Sequence, residues 1–214
     1  TSNDNITFAT GNIELANGSN LTVDTGAEGG NITIGEIAGA SQETVTLDAG
    51  TGTTSVGVIG SGTEIGVLTI GSSDNGGITL NGAITTDGAV TIDGPVTLAT
   101  GAVSVTTAND AITFNHSIDG GQTLTLSSGS AAITFTGALG ASTSLGGLTV
   151  NSAGAGNITF SSTIGDAENA GVVGTTAIGN AATNDLNFNS TIYSFNGATT
   201  ITAKSGDTID LAAG

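Results

Sequence analysis

Residues 78–98 read ITLNGAITTDGAVTIDGPVTL, and this stretch decides the fold. A unit of aliphatic residue, threonine and aliphatic residue occurs in it three times, at Ile78-Thr79-Leu80, Val90-Thr91-Ile92 and Val96-Thr97-Leu98. Alternation with a period of two puts both aliphatic side chains on one face, which is typical of a short β-strand with one buried face. The units are separated by pairs that favour tight turns: Asn81-Gly82, Asp87-Gly88 and Asp93-Gly94.

The same unit, with phenylalanine also allowed at its third position, recurs along most of the chain. It occurs at Ile6-Thr7-Phe8, Leu21-Thr22-Val23, Ile32-Thr33-Ile34, Val45-Thr46-Leu47, Leu68-Thr69-Ile70, Ile112-Thr113-Phe114, Leu124-Thr125-Leu126, Ile133-Thr134-Phe135, Leu148-Thr149-Val150 and Ile158-Thr159-Phe160. The sequence also contains a longer repeat made of several such units, because residues 43–84 align with residues 122–164. A chain of this kind repeats one structural element and leaves little room for a catalytic constellation.

A finer spacing groups the strands into coils. A second aliphatic residue follows the first after six positions at Ile78 and Ile84, Ile112 and Ile118, Ile133 and Leu139, Ile158 and Ile164, and Leu186 and Ile192, and a third strand then follows. First strands at 6, 32, 56, 78, 96, 112, 133, 158, 186 and 209 give nine intervals over 203 residues, with a mean near 23. The sequence therefore predicts an all-β fold, a parallel β-solenoid of about nine to ten three-strand coils. Residues 1–214 are expected to form one continuous, elongated unit with no internal linker.

The core is expected to be thin and to stack coil upon coil. The chain has six Phe, one Tyr, no Trp and no Met, so Val, Ile and Leu must fill the interior. A single coil cannot bury its own apolar face, and its neighbours must close the core. The shared third position predicts a ladder of Phe114, Phe135, Phe160 and Phe188 in four consecutive coils. Every Phe except Phe195 is expected to point inward.

Composition excludes several classes of partner. Eighteen acidic residues against Lys204 as the only Lys or Arg give a formal charge of −17, which repels nucleic acids and anionic membrane surfaces. The chain has no cysteine and therefore neither disulfides nor thiolate metal sites. No run approaches 18 apolar residues, and the absence of a start methionine and signal peptide indicates a processed chain or a segment of a longer one.

Two other architectures compete with the solenoid. Disorder is common in glycine- and serine-rich acidic chains, but the positive mean hydropathy and the strict alternation argue against it. A pair of immunoglobulin-like sandwiches would also show many short strands. Such domains normally need a buried Trp, a corner Tyr and a linker, whereas this chain has no Trp and a single Tyr, Tyr193.

The sequence predicts no catalytic, cofactor-binding or metal-binding residues, and therefore no enzyme. His116 and Lys204 are the only side-chain bases besides the carboxylates, and we expect both to be solvated surface groups. Polysaccharide lyases of β-helical shape generally need a basic residue, and the chain has no Arg. A glycosidase could use paired carboxylates, but sugar sites also need exposed aromatic platforms.

Calcium is the one metal that the available oxygen ligands would suit. Acidic loop clusters occur at Asp74-Asn75, Asn109-Asp110, Asp166-x-Glu168-Asn169, Asn184-Asp185 and Asp207-x-x-Asp210. None reproduces a known calcium loop, so solvated turns are the simpler interpretation.

Two further patterns are interpreted as products of the repeat. Asn-x-Ser/Thr sequons occur at Asn5, Asn17, Asn20, Asn31, Asn115, Asn157 and Asn189, where stacked Asn residues could form an amide ladder at the corners. Outward threonines would form ladders similar to those of ice-binding β-solenoids. The Thr-x-Thr pairs of those proteins are matched only at Thr44-Val45-Thr46 and Thr123-Leu124-Thr125, so threonine is interpreted as a strand former.

Phrases such as AITFTGALG at residues 132–140 and LGGLTVNSAG at residues 145–154 resemble the repeats of large bacterial surface proteins, the filamentous-haemagglutinin-like and autotransporter-type adhesins. The resemblance covers nearly the whole chain. It implies a right-handed parallel β-solenoid, export to the cell surface, and a role as an adhesin shaft, stalk or extracellular fibre. It carries over no catalytic residue.

The predicted function is a structural segment of an extracellular bacterial filament or adhesin shaft. Its expected partners are copies of itself placed end to end, with cell-surface glycans as a further class. Joining the tail to a second head would place Ile209 and Ile6 11 residues apart, against 10 between Leu148 and Ile158, so tandem continuation and subunit stacking both fit. The alternatives are a carbohydrate-binding or carbohydrate-cleaving β-helix, with a cleft lined by Tyr193 and carboxylates, and an ice-binding solenoid.

Overall fold

A computed structural model describes residues 4–71 and 76–212 and contains 22 strands and no helix in these ranges. All pairs between these strands are parallel, as expected for a chain that winds repeatedly in one direction. The strands stack in three columns around one core and form a β-solenoid of about nine turns. The predicted all-β solenoid and its number of coils are confirmed.

Each column collects strands from successive coils, and the strands are numbered in chain order. The first column contains β1 (Ile6–Phe8), the first halves of β4 (Ile32–Ala38) and β6 (Thr54–Ile59), β8 (Ile78–Leu80), β11 (Val96–Leu98) and β14 (Ile118–Asp119). The second contains β2 (Ile13–Glu14), the second halves of β4 and β6, β9 (Ile84–Thr86), β12 (Val103–Thr107), β15 (Thr123–Ser127), β17 (Gly147–Asn151), β19 (Thr176–Ile178) and β21 (Thr199–Ile201). The third contains β3 (Leu21–Asp24), β5 (Thr44–Asp48), β7 (Val67–Ile70), β10 (Val90–Ile92), β13 (Ile112–Phe114), β16 (Ile133–Phe135), β18 (Ile158–Phe160), β20 (Leu186–Phe188) and β22 (Ile209–Leu211).

Each coil runs through the first, second and third columns in turn, and we number coils 1 to 9 by their third-column strand. Beyond β14 the first column continues as single bridges from Ile118 to Leu139, Ile164 and Tyr193. Third-column strands begin 21 residues apart between Ile112 and Ile133, and 28 residues apart between Ile158 and Leu186. The extra residues form loops at the corners, so the coils keep their register although their lengths differ.

The predicted coil starts need a correction. Starts at 6, 32, 56, 78 and 96 lie in the first column, whereas those at 112, 133, 158, 186 and 209 lie in the third. The predicted series of coil starts therefore switches from the first column to the third between residues 96 and 112. The two long repeats are offset in the same way, because Val45 lies in the third column and Leu124 in the second. The strand unit is alike on all three faces, so the sequence does not mark which face a unit occupies.

The corner between the first and second columns shows why glycine is needed there. Both β4 and β6 continue through this corner, with Gly35 and Gly57 at corresponding positions. A Cβ atom on Gly57 would lie 2.1 Å from the carbonyl oxygen of Gly35. Backbone packs directly on backbone at this corner, which leaves no space for a side chain.

The core is an uninterrupted apolar column inside the three sheets. The inner side chains of coils 2 to 8 are almost all inaccessible to solvent. Phe114, Phe135, Phe160 and Phe188 stack with ring centroids 5.8, 4.8 and 5.1 Å apart and interplanar angles of 9°, 5° and 10°. This spacing is close to the separation of neighbouring strands, and the predicted phenylalanine ladder is confirmed.

Phe8 follows the prediction in direction but not in burial, and Phe195 does not follow it. Phe8 has the inward register, since it pairs with the buried Ile34, yet 47% of it is exposed because no described strand covers the outer side of coil 1. Phe195, the one ring not expected to point inward, packs against the core. A parallel β-bridge pairs Phe195 with the buried Val172 of the preceding coil, and this pairing places Phe195 against the core.

Candidate functional site

The outer edges of coils 1 and 9 are the surfaces where the regular stacking stops. Within residues 4–71 and 76–212, no strand pairs with the outer edge of β3 or β22. Both edges therefore present backbone donors and acceptors that a further parallel strand could use. They also present a cross-section of the apolar core.

The edge of coil 1 exposes residues that have buried counterparts one coil further in. Ile6, Ile13 and Leu21 are only partly buried, and each belongs to a different column. Their partners Ile32, Ile37 and Val45 are inaccessible to solvent. The difference in burial follows from position along the solenoid, because both sets are aliphatic and have the same inward register.

At the edge of coil 9, exposed residues likewise have buried counterparts one coil further in. Ile209 is 46% exposed and Leu211 is 68% exposed, whereas their partners Leu186 and Phe188 in coil 8 are buried. Tyr193, Phe195 and Ile201 are partly buried beside them. A further coil on this side would bury these side chains as coil 9 buries those of coil 8.

Polar side chains at the corners tie neighbouring coils together. Asn5 Oδ1 accepts a hydrogen bond from the backbone N–H of Asn31 at 2.8 Å, and Asn31 Oδ1 accepts one from Thr53 at 2.9 Å. The same arrangement joins Asn20 to Thr44 at 2.8 Å and Asp185 to Thr208 at 3.0 Å. The expected amide ladder thus takes a different form, with side-chain oxygen bonded to backbone N–H of the next coil. Four of the sequon asparagines, Asn5, Asn20, Asn31 and Asn157, have this structural role.

Glu43 is a structural residue that the sequence did not reveal. Its side chain is inaccessible to solvent and accepts backbone N–H hydrogen bonds from Ala40 at 2.7 Å, Gln42 at 3.3 Å and Gly18 at 3.3 Å. Burial raises the pKa of this carboxyl, but the backbone hydrogen bonds together outweigh it, so the pKa lies below its usual value. The carboxylate therefore fastens the turn of coil 1 to coil 2. A glutamate before a strand carries no sequence signal that separates this role from a solvated turn.

His116 and Lys204 lie in different coils. His116 follows β13 in coil 5, and its Nε2 lies 3.4 Å from Asp93 Oδ1. Lys204 lies in coil 9, where its Nζ is 3.6 Å from Asp207 Oδ2. At a rise of about 4.8 Å per coil the two bases are separated by four coils, or roughly 19 Å. The structure does not bring these bases together, and no catalytic arrangement joins them.

The acidic loop clusters do not converge. Asp74-Asn75 lies outside the described residues, and among the described residues no group of three or more His, Asp or Glu side chains could hold a metal ion. Backbone N–H groups of Asn169 and Glu168 bond to Asp166, and the backbone and hydroxyl of Thr208 bond to Asp185, so that the pKa of each aspartate is lowered. Asn109 Oδ1 similarly accepts hydrogen bonds from Ser130. These oxygens already have partners within the fold.

Tyr193 is not an exposed aromatic platform. Its ring packs edge-on against Phe188 at a centroid distance of 5.1 Å, and its hydroxyl accepts a hydrogen bond from the backbone N–H of Ser190. Burial raises the pKa of the Tyr193 hydroxyl. The residue closes the core at coil 9 rather than lining a cleft for a sugar.

One outer face carries a regular threonine ladder. Thr22, Thr46, Thr69, Thr91, Thr113, Thr134 and Thr159 occupy one register position in seven consecutive coils of the third column. Asn187 and Asp210 continue the same position in coils 8 and 9. The ladder is one threonine wide, because most strands of this column are three residues long.

The fold defines the chain as a β-solenoid repeat protein. No helix in the described ranges is long and apolar enough to cross a membrane. Comparison with protein-family models, with curated protein sequences and with solved structures gives no match.

Proposed function

We propose that this chain is a structural segment of an extracellular bacterial filament or adhesin shaft. The observation that carries the proposal is the continuous apolar core of the nine coils, which is open to solvent at the outer edges of coils 1 and 9. A shaft needs length, regular stacking and ends that accept another unit. It does not need a cleft or a cluster of reactive groups.

The energetics of a solenoid favour continuation at both edges. Each coil contacts only its neighbours, and its strands gain hydrogen bonds and burial from each neighbour in turn. Exposed apolar side chains such as Leu211 and Phe8 are costly in water and are buried when another coil stacks on them. That coil can come from the same chain in a tandem array or from a second copy.

The proposed location is the bacterial cell surface, in line with the resemblance to adhesin repeats. Glycans of host or cell surfaces are a further proposed class of partner along the shaft. The acidic charge of −17 supports a solvated fibre, because like charge opposes side-by-side aggregation.

Imaging and surface labelling test the proposal. Purified segment should form unbranched thin rods in negative stain, and antibodies raised against it should label intact cells of the source bacterium. Antibody binding that requires permeabilised cells would contradict the proposed shaft, whether the isolated segment forms long rods or stays a monomer.

The threonine ladder supports a second candidate function, the binding of ice. The observation in its favour is the row of seven outward threonines, one per coil at the same register position. Thermal hysteresis measured on the segment tests it, with Thr91→Lys and Thr113→Lys placed in the middle of the ladder. A freezing-point gap that these variants abolish would support ice binding, and no gap in the unmodified segment would reject it.

A further inference from the structure

The two outer edges match one another column by column. Coil 9 ends the three inner registers with Tyr193, Ile201 and Ile209. Coil 1 begins the same registers with Ile6, Ile13 and Leu21. We propose that the edge of coil 9 binds the edge of coil 1 of a second copy, head to tail, with Tyr193 over Ile6, Ile201 over Ile13 and Ile209 over Leu21. This inference rests on the proposed function and names its partner and contact.

The dimensions of the two coils agree. In coil 9 the three inner residues are eight and eight positions apart, and in coil 1 they are seven and eight apart. In coil 2 the corresponding residues, Ile32, Ile37 and Val45, are five and eight apart. Coil 1 stacks on coil 2 despite a difference of two residues on one side. The smaller difference between coils 9 and 1 is therefore well within what this solenoid accommodates.

The direction of the strands selects head to tail over head to head. Every pair between the named strands is parallel, so a head-to-tail contact continues the hydrogen-bond ladder of β22 onto β3 in the same direction. Stacking coil 1 on another coil 1 would make the strands antiparallel and reverse the order of the columns. The apolar residues would then no longer fall in register.

Charge favours the same polarity. Lys204, the only Lys or Arg of the chain, lies three residues after Ile201 on the edge of coil 9, with its side chain 52% exposed. Placing Ile201 over Ile13 brings the exposed Glu14 of the second copy to this side of the contact. A head-to-head contact would instead bring together two coil 1 edges that each carry the exposed Glu14 and Asp24 and no Lys or Arg. Lys204, whose Nζ lies 3.6 Å from Asp207 Oδ2 of its own chain, therefore lies where the head-to-tail contact offers it a second acid.

Engineered cysteines test the register directly, because the chain contains none of its own. Asp210 and Thr22 hold the same outward position in β22 and β3, so the proposal places them side by side across the contact. Neighbouring strands lie about 4.8 Å apart, within the range of about 4.4–6.8 Å that a disulfide needs between Cα atoms. Under mild oxidation the variant T22C/D210C should give a ladder of dimers, trimers and larger species on a non-reducing gel. On the same gel, T22C alone should run as an uncrosslinked monomer. T22C/T113C should do the same, because its second cysteine lies in the middle of the solenoid.

Charge variants test the polarity separately by light scattering. K204E should weaken association by about tenfold, as expected when an attractive charge pair at a contact becomes repulsive, and K204E/E14K should restore it. D87K is the control for the added charge of E14K, because Asp87 is exposed in coil 4, away from both edges. This control should not restore association to K204E.

Each outcome decides a different point. Association without disulfides in T22C/D210C, or dimers of T22C alone, would overturn the head-to-tail register and leave the proposed shaft standing. A segment that stays monomeric and uncrosslinked would overturn the contact between copies. A tandem shaft within one chain would then remain, and the surface labelling above tests it independently.

Discussion

At the scale of single residues, the core holds a few hydroxyl groups where neighbouring coils hold methyl groups. Thr54 lies between Ile32 and Ile78 in the first column, and Thr176 lies next to Leu148 in the second. Both side chains are buried, and neither Oγ1 has a hydrogen-bond partner. A buried hydroxyl without a partner keeps the cost of leaving water and gains nothing in return.

Replacing Thr54 by valine should stabilise the protein. Valine has nearly the same shape and removes the unpaired hydroxyl, so Thr54→Val should raise the free energy of unfolding by about 1 kcal/mol. Urea denaturation followed by circular dichroism measures the change. Thr69→Val, in the outward ladder, is the control and should change stability by less than about 0.5 kcal/mol. A destabilised Thr54→Val would show that the hydroxyl has a favourable partner.

Glu43 predicts a dependence of stability on pH. Its pKa in the folded protein lies below the usual value of 4.5, so its carboxylate stabilises the fold above that pH. The contribution should be lost as the pH falls through the folded-state pKa. Glu43→Gln should therefore lower the melting temperature at pH 7, and the difference from the unmodified protein should shrink below about pH 4.

Glu36→Gln is the matched control, because Glu36 lies in the same coil at a more accessible position. It should leave the melting temperature nearly unchanged at both pH values. An equal loss for Glu43→Gln at pH 7 and pH 3 would mean that the carboxylate charge is not what holds the turn.

At the scale of elements, one register position of the third column changes from aliphatic to aromatic along the chain. It holds Val23, Leu47, Ile70 and Ile92 in coils 1 to 4 and four phenylalanines in coils 5 to 8. The rings stack nearly parallel, as the strands that carry them do. Each ring packs against side chains of the coils on either side. The packing unit of the solenoid is therefore the column of stacked strands as much as the single strand.

Removing a ring from the middle of the ladder should be costly. Phe135 is buried and stacks on Phe114 and Phe160, so Phe135→Ala should lower the free energy of unfolding by roughly 3–5 kcal/mol. Chemical denaturation provides the measurement. Phe8→Ala, at the exposed edge of coil 1, is the control and should cost about 1 kcal/mol. Similar losses in the two variants would contradict the ladder as a source of stability.

At the scale of the whole molecule, stability comes from stacking, with no contribution expected from a metal. EDTA should leave the melting temperature unchanged within about 1 °C, because the loop carboxylates of Asp166 and Asp185 are already bonded to backbone N–H groups. Differential scanning calorimetry with and without EDTA, and with added calcium, checks this. A fall of several degrees that calcium reverses would indicate a calcium site in the acidic loops.

The sequence by itself determined the strand unit, the solenoid, the number of coils and the phenylalanine ladder. These features follow from the period-two alternation and the turn residues, which are local properties contained within each unit. The sequence also indicated that Asn5 and Asn31 belong to stacked corners, although not that their oxygens would bond to backbone N–H groups.

Only the tertiary structure decided which face each unit occupies, because Ile112-Thr113-Phe114 and Ile78-Thr79-Leu80 are locally equivalent and lie in different columns. The corner loops, whose lengths vary, fix that choice through the register of the neighbouring coil. The buried carboxylate of Glu43 and the exposure of Phe8 depend on contacts with, or the lack of, an adjacent coil. Such contacts join residues more than 20 positions apart, so no local pattern could have contained them.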